Sequence, residues 1–237
     1  MSLLLNFAFL YMLVSSSAVA GRISYYYNFK GPSLVMDTAC SSSGVAIDYA
    51  RRSLQEGRCD LAIVCAVHCL VSPLSNIFLT KARLLSPQGR CATFASSADG
   101  YCRSEGYGVL VLERLSDATS KPFQRHLWGV IRGTAVNHNG TSNGMTAPSG
   151  LAQKDVIVEA LREAQIDPSE VSYVEAHGTG TTVGDPVEMR ALKDVFEAGS
   201  GHKQEIPLYV ASGKTNIGHC EPSRYLFSPP SINDNLS

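Results

Sequence analysis

The feature that most constrains this chain is a cysteine between a short apolar run and a helical pattern. Leu34 to Met36 is predicted to form a short buried strand, and Ser41 to Ser43 after Cys40 offer capping hydroxyls. Apolar residues then recur on one helical face at Val45, Ala46, Tyr49, Ala50 and Leu54. Unpaired N–H groups and the dipole at a helix N-terminus favour a thiolate, which lowers a cysteine pKa. The pattern predicts that Cys40 is a nucleophile, with a buried, unreactive cysteine as the alternative.

Strand-like and helix-like patterns alternate along the rest of the chain. The predicted strands are 59–67, 108–113, 127–135, 171–176 and 208–212. We expect the first to be fully buried, with Cys65 and Cys69 as small core residues, and the second and third to pair like a hairpin. Gln153 to Ala164 has the spacing of an amphipathic helix. The alternation predicts an α/β layer fold.

Polar residues with catalytic potential follow the last two predicted strands. His177 follows the first of them, and Lys214 and His219 follow the second. Catalytic groups in α/β layers usually lie at the carboxyl ends of strands. Since a nucleophile and its partners are normally assembled by folding, their distance from Cys40 in the sequence is no objection to a shared site.

Composition excludes several classes of function. The 237 residues carry 20 basic and 21 acidic side chains without a basic run, so nucleic-acid binding has no electrostatic support. Seven cysteines without a CxxC pair or a Cys/His cluster argue against a zinc site and against a disulfide framework. An odd number of cysteines with one candidate nucleophile favours a reducing, cytoplasmic location.

An apolar stretch from Leu3 to Val14 precedes these patterns. It is too short to cross a bilayer and has the length of a signal-peptide core, with a small-residue pattern ending at Ala20. No Lys or Arg precedes it, however, and cleavage after Ala20 would cut a predicted helix. The cytoplasmic prediction is therefore retained, with a signal peptide as the alternative.

Three segments carry a family resemblance in the same order. Asp37-Thr38-Ala39-Cys40-Ser41-Ser42-Ser43, Val174-Glu175-Ala176-His177-Gly178-Thr179-Gly180-Thr181 and Gly213-Lys214-Thr215-Asn216-Ile217-Gly218-His219 resemble the signature motifs of the beta-ketoacyl synthase family. The match is strongest to the ketosynthase domains of polyketide synthases. It implies a thiolase-like, layered αβαβα architecture of the α/β class.

The resemblance covers the middle of such a domain, residues 17–221. Residues 1–16 are an apolar leader outside it, and residues 222–237 diverge from the family and are predicted to be disordered. Gly44 also departs from the family, which usually has a larger apolar residue there. Without both flanks, the domain is expected to be incomplete and to expose apolar sheet edges.

The resemblance implies a decarboxylative Claisen condensation. Cys40 would hold the first acyl group as a thioester, and His177 and His219 would polarise the carbonyl of a malonyl thioester while carbon dioxide leaves. Lys214 would set the protonation and placement of the histidines. Glu221 also matches a family position, is expected to be a substrate-binding residue with Thr179 and Thr181, and could pair with Lys214.

The substrates implied by the resemblance are carried by a partner. They are attached to the phosphopantetheine of an acyl carrier protein, which the hydroxyls of Thr179 and Thr181 could bind, and no cofactor or metal is held by the chain itself. A homodimer is expected, in polyketide or fatty-acid biosynthesis. Two alternatives stay open: an inactive ketosynthase-like protein that binds a carrier or another partner, and a Cys-His hydrolase, which leaves Lys214 and one histidine without a role.

Overall fold

A computed structural model describes residues 15–120, 126–144, 146–197 and 207–226. The apolar stretch from Leu3 to Val14 and residues 227–237 of the divergent tail lie outside these ranges. The α-helices are α1 (Ser16–Tyr27), α2 (Ser42–Gln55), α3 (Pro73–Lys81), α4 (Leu115–Ser120), α5 (Gly150–Ala164), α6 (Gly184–Phe196) and α7 (Lys214–Ile217). The strands are β1 (Leu61–His68), β2 (Gly106–Glu113), β3 (Tyr173–Glu175) and β4 (Tyr209–Ala211), and short 3-10 helices cover Pro168–Glu170 and Glu221–Leu226.

The first sheet is an antiparallel pair of β1 and β2, in which Leu61 lies opposite Glu113 and His68 opposite Gly106. The predicted pairing of 108–113 with 127–135 is therefore wrong. The latter segment lies against α5 instead, where Thr134 N donates to a Glu163 carboxylate oxygen at 3.0 Å. Its backbone is thus held by a side chain rather than by a strand.

One face of this sheet is exposed. The helix α2 and the 3-10 helix Glu221–Leu226 pack against the sheet, and Val64 is the buried residue of β1. The opposite face presents Val67 at 57% exposure, Tyr107 at 79% and Val111 at 61%. The prediction of a fully buried strand is wrong because, within the described ranges, no element covers this face. Cys65 and Cys69, predicted to be core residues, are both exposed, Cys65 on this uncovered face and Cys69 just after the strand ends.

The second sheet is a parallel pair, β3 and β4, joined by a crossover that contains α6. Leu192, Val195 and Phe196 of α6 form a buried cluster, and the partly buried side chains packed on it are Ile157, Leu161, Val171, Val174, Leu208 and Val210. This cluster includes side chains from α5 and from both strands. The predicted strands 171–176 and 208–212 and the predicted helix 153–164 are confirmed, with small shifts at their ends.

Leu34 to Met36 is not a strand. Leu34 and Val35 are 52% and 46% exposed, and no described strand pairs with the segment. An apolar run needs a neighbouring strand to take up its backbone hydrogen bonds. The helix predicted to follow Cys40 is confirmed as α2, which buries Ala50 and Leu54.

The segment between α3 and β2 connects the two sheets. Gly100 N donates to Gly180 O at 2.9 Å, and His219 N donates to Cys102 O at 2.7 Å. Gly180 has φ +81°, and a Cβ atom there would lie 2.7 Å from Ala92 N, so only glycine fits this approach. These contacts bring the ends of β3 and β4 towards the Cys40 turn.

Within residues 15–226, excluding the gaps, no helix is long and apolar enough to cross a membrane.

Candidate active site

Cys40 lies in a strained turn just before α2. The preceding residue, Ala39, has φ +54°, which is costly for a residue with a side chain. Side-chain hydrogen bonds hold this conformation. Asp37 Oδ1 accepts from Ala39 N at 3.0 Å, and Ser42 Oγ accepts from Thr38 N at 2.9 Å. The turn therefore fixes the direction of Cys40 before any substrate is present.

The pKa of Cys40 is not lowered as predicted. Burial raises the pKa of this thiol, and the positive charge of Arg224 opposes the effect only in part. Two N–H groups at the start of the helix, Ser41 N and Ser42 N, already donate to Thr38 O and Ala39 O, at 3.3 and 3.1 Å, and are not free to stabilise a thiolate. The raised pKa keeps the resting side chain of Cys40 in its thiol form.

His219 is the immediate neighbour of Cys40. Its Nε2 lies 3.1 Å from Cys40 Sγ, and its Nδ1 accepts a hydrogen bond from Glu221 N at 3.2 Å. The side chain is 1% exposed, and burial, reinforced by the charge of Lys214, lowers its pKa to about 3. His219 is therefore neutral, with its proton on Nε2, and it presents a donor to the sulfur atom.

His177 lies two residues after β3 and faces His219. The two ring centroids are 5.5 Å apart with an interplanar angle of 80°. Its position is set by Glu188 of α6, whose carboxylate accepts from His177 N at 2.5 Å and from Gly178 N at 2.8 Å. The guanidinium of Arg224 contacts His177 Nδ1. Folding thus brings His219 to Cys40 and His177 to His219.

Lys214 is buried beneath the site and does not pair with Glu221. Its Nζ lies 3.4 Å from Ser212 Oγ, and burial lowers its pKa while the charges of Glu175 and Glu188 oppose that change. The predicted Lys214–Glu221 pair is wrong because nearer cations take up the carboxylate of Glu221.

Those cations are Arg103 and, when protonated, His68. Arg103 Nε and Nη2 donate to the two Glu221 oxygens at 2.5 and 3.0 Å, and His68 Nε2 lies 3.0 Å from Oε2. Sequence reasoning missed His68, because the end of β1 gave no sign that it meets Glu221. The network anchors the 3-10 helix Glu221–Leu226, so residues 222–226, predicted to be disordered, are structured.

Thr179 and Thr181 have different surroundings. Thr179 is 6% exposed, whereas Thr181 borders a cavity of about 310 Å³ beside α6. The cavity is lined by Phe94, Ala95, Ser96, Ala98, Thr181, Thr182, Asp185, Pro186 and Met189. The two hydroxyl oxygens are 3.5 Å apart, and Thr181 Oγ1 accepts from Gly184 N at 3.2 Å. Of Thr179 and Thr181, only Thr181 therefore lines this cavity.

Breaking the Arg103–Glu221 pair is expected to destabilise the protein. Arg103→Met leaves the Glu221 carboxylate partly buried without its main cation, which should lower the free energy of unfolding by about 3 kcal/mol. Arg162→Met, which breaks an exposed pair with Glu159 on α5, should leave the free energy of unfolding almost unchanged because solvent screens this pair. Denaturant unfolding measures both. Equal midpoints for the two variants would contradict this assignment.

Glu188 is expected to make stability fall as the pH rises towards neutrality. Burial raises its pKa from 4.5 to about 7, so between these values the folded chain binds more protons than the unfolded chain. The free energy of unfolding should fall by about 3 kcal/mol across this window relative to Glu188→Gln. Both proteins keep His219, whose opposite contribution cancels in the comparison. Parallel stability curves from pH 4 to 8 would show that Glu188 does not titrate in this range.

Two family profiles match this chain. "Beta-ketoacyl synthase, N-terminal domain" matches residues 6–118, and "Beta-ketoacyl synthase, C-terminal domain" matches residues 128–224. Both matches extend beyond the limits 17 and 221 expected from the signature motifs.

Curated relatives include several polyketide synthases. Polyketide synthase PksL of Bacillus subtilis is 45% identical over 205 residues, which are 86% of this chain and 4% of that protein. The phenolphthiocerol synthesis polyketide synthase type I Pks15/1 of Mycobacterium bovis is 47% identical over 207 residues, which are 87% of this chain and 10% of that protein. This chain therefore spans a small part of the length of either relative.

Solved structures give the same fold. The ketosynthase from module 6 of the bacillaene synthase of Bacillus subtilis superposes with a TM-score of 0.84 at 41% identity, over 90% of this chain and 38% of that one. An oxazolomycin ketosynthase domain of Streptomyces albus gives 0.83 at 40% identity, over 89% and 36%. The fold is thus the thiolase-like α/β fold of the ketosynthases, as the signature motifs predicted, over about a third of their length.

Proposed function

This chain belongs to the beta-ketoacyl synthase family, and we propose that it carries the condensation chemistry of a polyketide ketosynthase. The observation that supports this most directly is the 3.1 Å contact between His219 Nε2 and Cys40 Sγ, with His177 beside it. A hydrolase needs one nucleophile and one base, which leaves the second histidine without a role. A condensing enzyme uses both.

The first proposed step loads Cys40. The thiol attacks the carbonyl carbon of an acyl thioester on a carrier protein, and a new carbon–sulfur bond forms while the carrier thiol leaves with the proton. The raised pKa of Cys40 means that proton transfer accompanies this attack. His219 already carries its proton on Nε2, so it donates a hydrogen bond to the sulfur atom, and the thiol proton passes to the leaving carrier thiol.

The second proposed step forms the carbon–carbon bond. The bond between the α-carbon and the carboxylate of a malonyl thioester breaks, and carbon dioxide leaves. The electron pair of that bond stays behind in an enolate, whose oxygen accepts hydrogen bonds from His177 and His219. The enolate carbon then attacks the acyl group, a carbon–carbon bond forms, and the bond to Cys40 Sγ breaks. Donors oriented before the reaction stabilise such an oxyanion by about 3–4 kcal/mol each.

Lys214 is proposed to act through the electrostatics of the site. The positive charge of Lys214 helps to lower the pKa of His219, which keeps that histidine neutral and able to donate. Thr181, with Thr179 behind it, is proposed to contact the amide-rich arm of phosphopantetheine. The partner would be an acyl carrier protein, and we further propose a homodimer in the cytoplasm.

A two-part assay of the complete 237-residue chain tests the proposal. The first part incubates it with an acyl carrier thioester and seeks the added acyl mass on the peptide that contains Cys40. The second adds malonyl carrier protein and measures carbon dioxide and the β-ketoacyl product. The proposal requires acyl transfer to Cys40, followed by a product that is longer by the malonyl-derived unit.

Other outcomes point to the alternatives. Acylation of Cys40 followed by release of the free acid would identify a hydrolase. Retained carrier binding, with neither acyl transfer nor carbon dioxide release, would identify a ketosynthase-like binding protein. Iodoacetamide alone is a poor reporter, because exposed Cys65 and Cys69 compete with half-buried Cys40.

A further inference from the structure

We propose that Arg224 is a positioning residue for His177. Its guanidinium donates to His177 Nδ1 and so fixes the imidazole as the tautomer that carries its proton on Nε2. The inference rests on the proposed function, because that tautomer is the one in which Nε2 serves as a donor to an enolate. It concerns the last residue that the C-terminal family profile matches.

The chemistry of the arginine side chain allows only one tautomer of His177. A guanidinium has five N–H donors and no acceptor, and it remains charged at working pH. In contact with Arg224, His177 Nδ1 must therefore be the acceptor and cannot carry the proton itself. The adjacent positive charge also disfavours an imidazolium at His177.

The second histidine is held in the same way by the same element. Glu221 N donates to His219 Nδ1 at 3.2 Å, which leaves the His219 proton on Nε2. The 3-10 helix Glu221–Leu226 thus supplies one donor to each histidine, a backbone N–H from its first residue and a side chain from its fourth. Both rings then present Nε2–H groups for the reaction.

The position of Arg224 depends on complementary packing around it. Its guanidinium carbon lies 4.0 Å from the ring centroid of Tyr225, and Tyr225 N donates to Ser43 Oγ at 3.3 Å. A Cβ atom at Gly44 would lie 3.0 Å from the Tyr225 ring, so glycine makes room for that ring. Gly44 of α2 and Tyr225 of the final 3-10 helix therefore meet at one contact.

A blocking role is the competing explanation. Arg224 Nε is a buried nitrogen without a hydrogen-bond partner among the described residues. The surroundings therefore do not satisfy every N–H donor of the guanidinium. A side chain that only filled the substrate space would lower activity when present. A positioning residue raises it, and the two roles therefore predict opposite effects of removing Arg224.

Nitrogen NMR of the histidine rings tests the inference without requiring turnover. The chain has six histidines, and His177→Gln assigns the His177 signals in protein labelled with ¹⁵N-histidine. In the unaltered chain, His177 should show a protonated Nε2 and an unprotonated Nδ1. A proton on Nδ1, or an imidazolium, would overturn the proposal whether or not the chain condenses substrates.

Variants at position 224 give the second readout. Arg224→Met should turn the His177 signals into a mixture of tautomers, Arg224→Lys should restore the single tautomer, and Arg190→Met on the exposed face of α6 should change nothing. The kcat for malonyl decarboxylation should fall at least about tenfold in Arg224→Met, with KM little changed. Unchanged His177 signals in a folded Arg224→Met protein, or a faster reaction, would refute the positioning role.

Discussion

Cys40→Ala is expected to abolish formation of the β-ketoacyl product while carbon dioxide release from malonyl carrier protein continues. In the proposed mechanism the thiol accepts the acyl group, so its loss leaves nothing for the enolate to attack. The proposed donors to the enolate belong to His177 and His219, and the variant does not alter them. Removing Sγ in fact frees His219 Nε2 from its 3.1 Å contact. Product analysis by mass spectrometry and a carbon dioxide assay separate the two effects.

Cys65→Ala is the matched control, since Cys65 is an exposed cysteine on β1. It should retain both activities. If Cys40→Ala still forms product, another residue carries the acyl group and the nucleophile has been misassigned. If the variant loses carbon dioxide release as well, while remaining folded, decarboxylation depends on an acylated Cys40.

His219→Ala is expected to slow decarboxylation by about 10²–10³-fold, because one preorganised donor at a developing oxyanion is lost. The residue is 1% exposed, so circular dichroism and an unfolding curve must accompany the kinetics. His219→Gln provides a second variant of similar shape, with an amide donor that is less well directed. Its rate should lie between those of the alanine variant and the unaltered chain.

His138→Ala is the control for a histidine without a role in the site. His138 is exposed, and its Nδ1 accepts from Gly140 N at 2.9 Å within its own loop. Its replacement should leave the rate unchanged. Equal losses from the His138 and His219 variants would mean that the effect of His219 is not specific to the site.

Local patterns predicted the elements that deliver the site. The helical spacing after Cys40 and the strands before His177 and Lys214 depend on neighbours in the sequence, and α2, β3 and β4 lie where those patterns place them. The signature motifs predicted which side chains meet. Each of these predictions rests on a few consecutive residues and on one general rule, that catalytic groups in α/β folds lie at the carboxyl ends of strands.

The predictions that failed depended on neighbours that are distant in sequence. Whether β1 is buried on both faces depends on which elements cover the sheet. The ion-pair partner of Glu221 depends on the position of Arg103 in the folded chain. The pKa of Cys40 depends on burial and on the fact that the nearby N–H groups already have acceptors. None of these quantities has a local signature in the sequence.

The contact between Cys40 and His219 joins residues that are 179 positions apart in the chain. Closing so long a loop is entropically costly, and contacts of this kind slow folding relative to local ones. We therefore expect the Cys40–His219 contact to form after the more local contacts of the two strand pairs. Recovery of this contact during refolding would then report that the two ends of the described chain have come together.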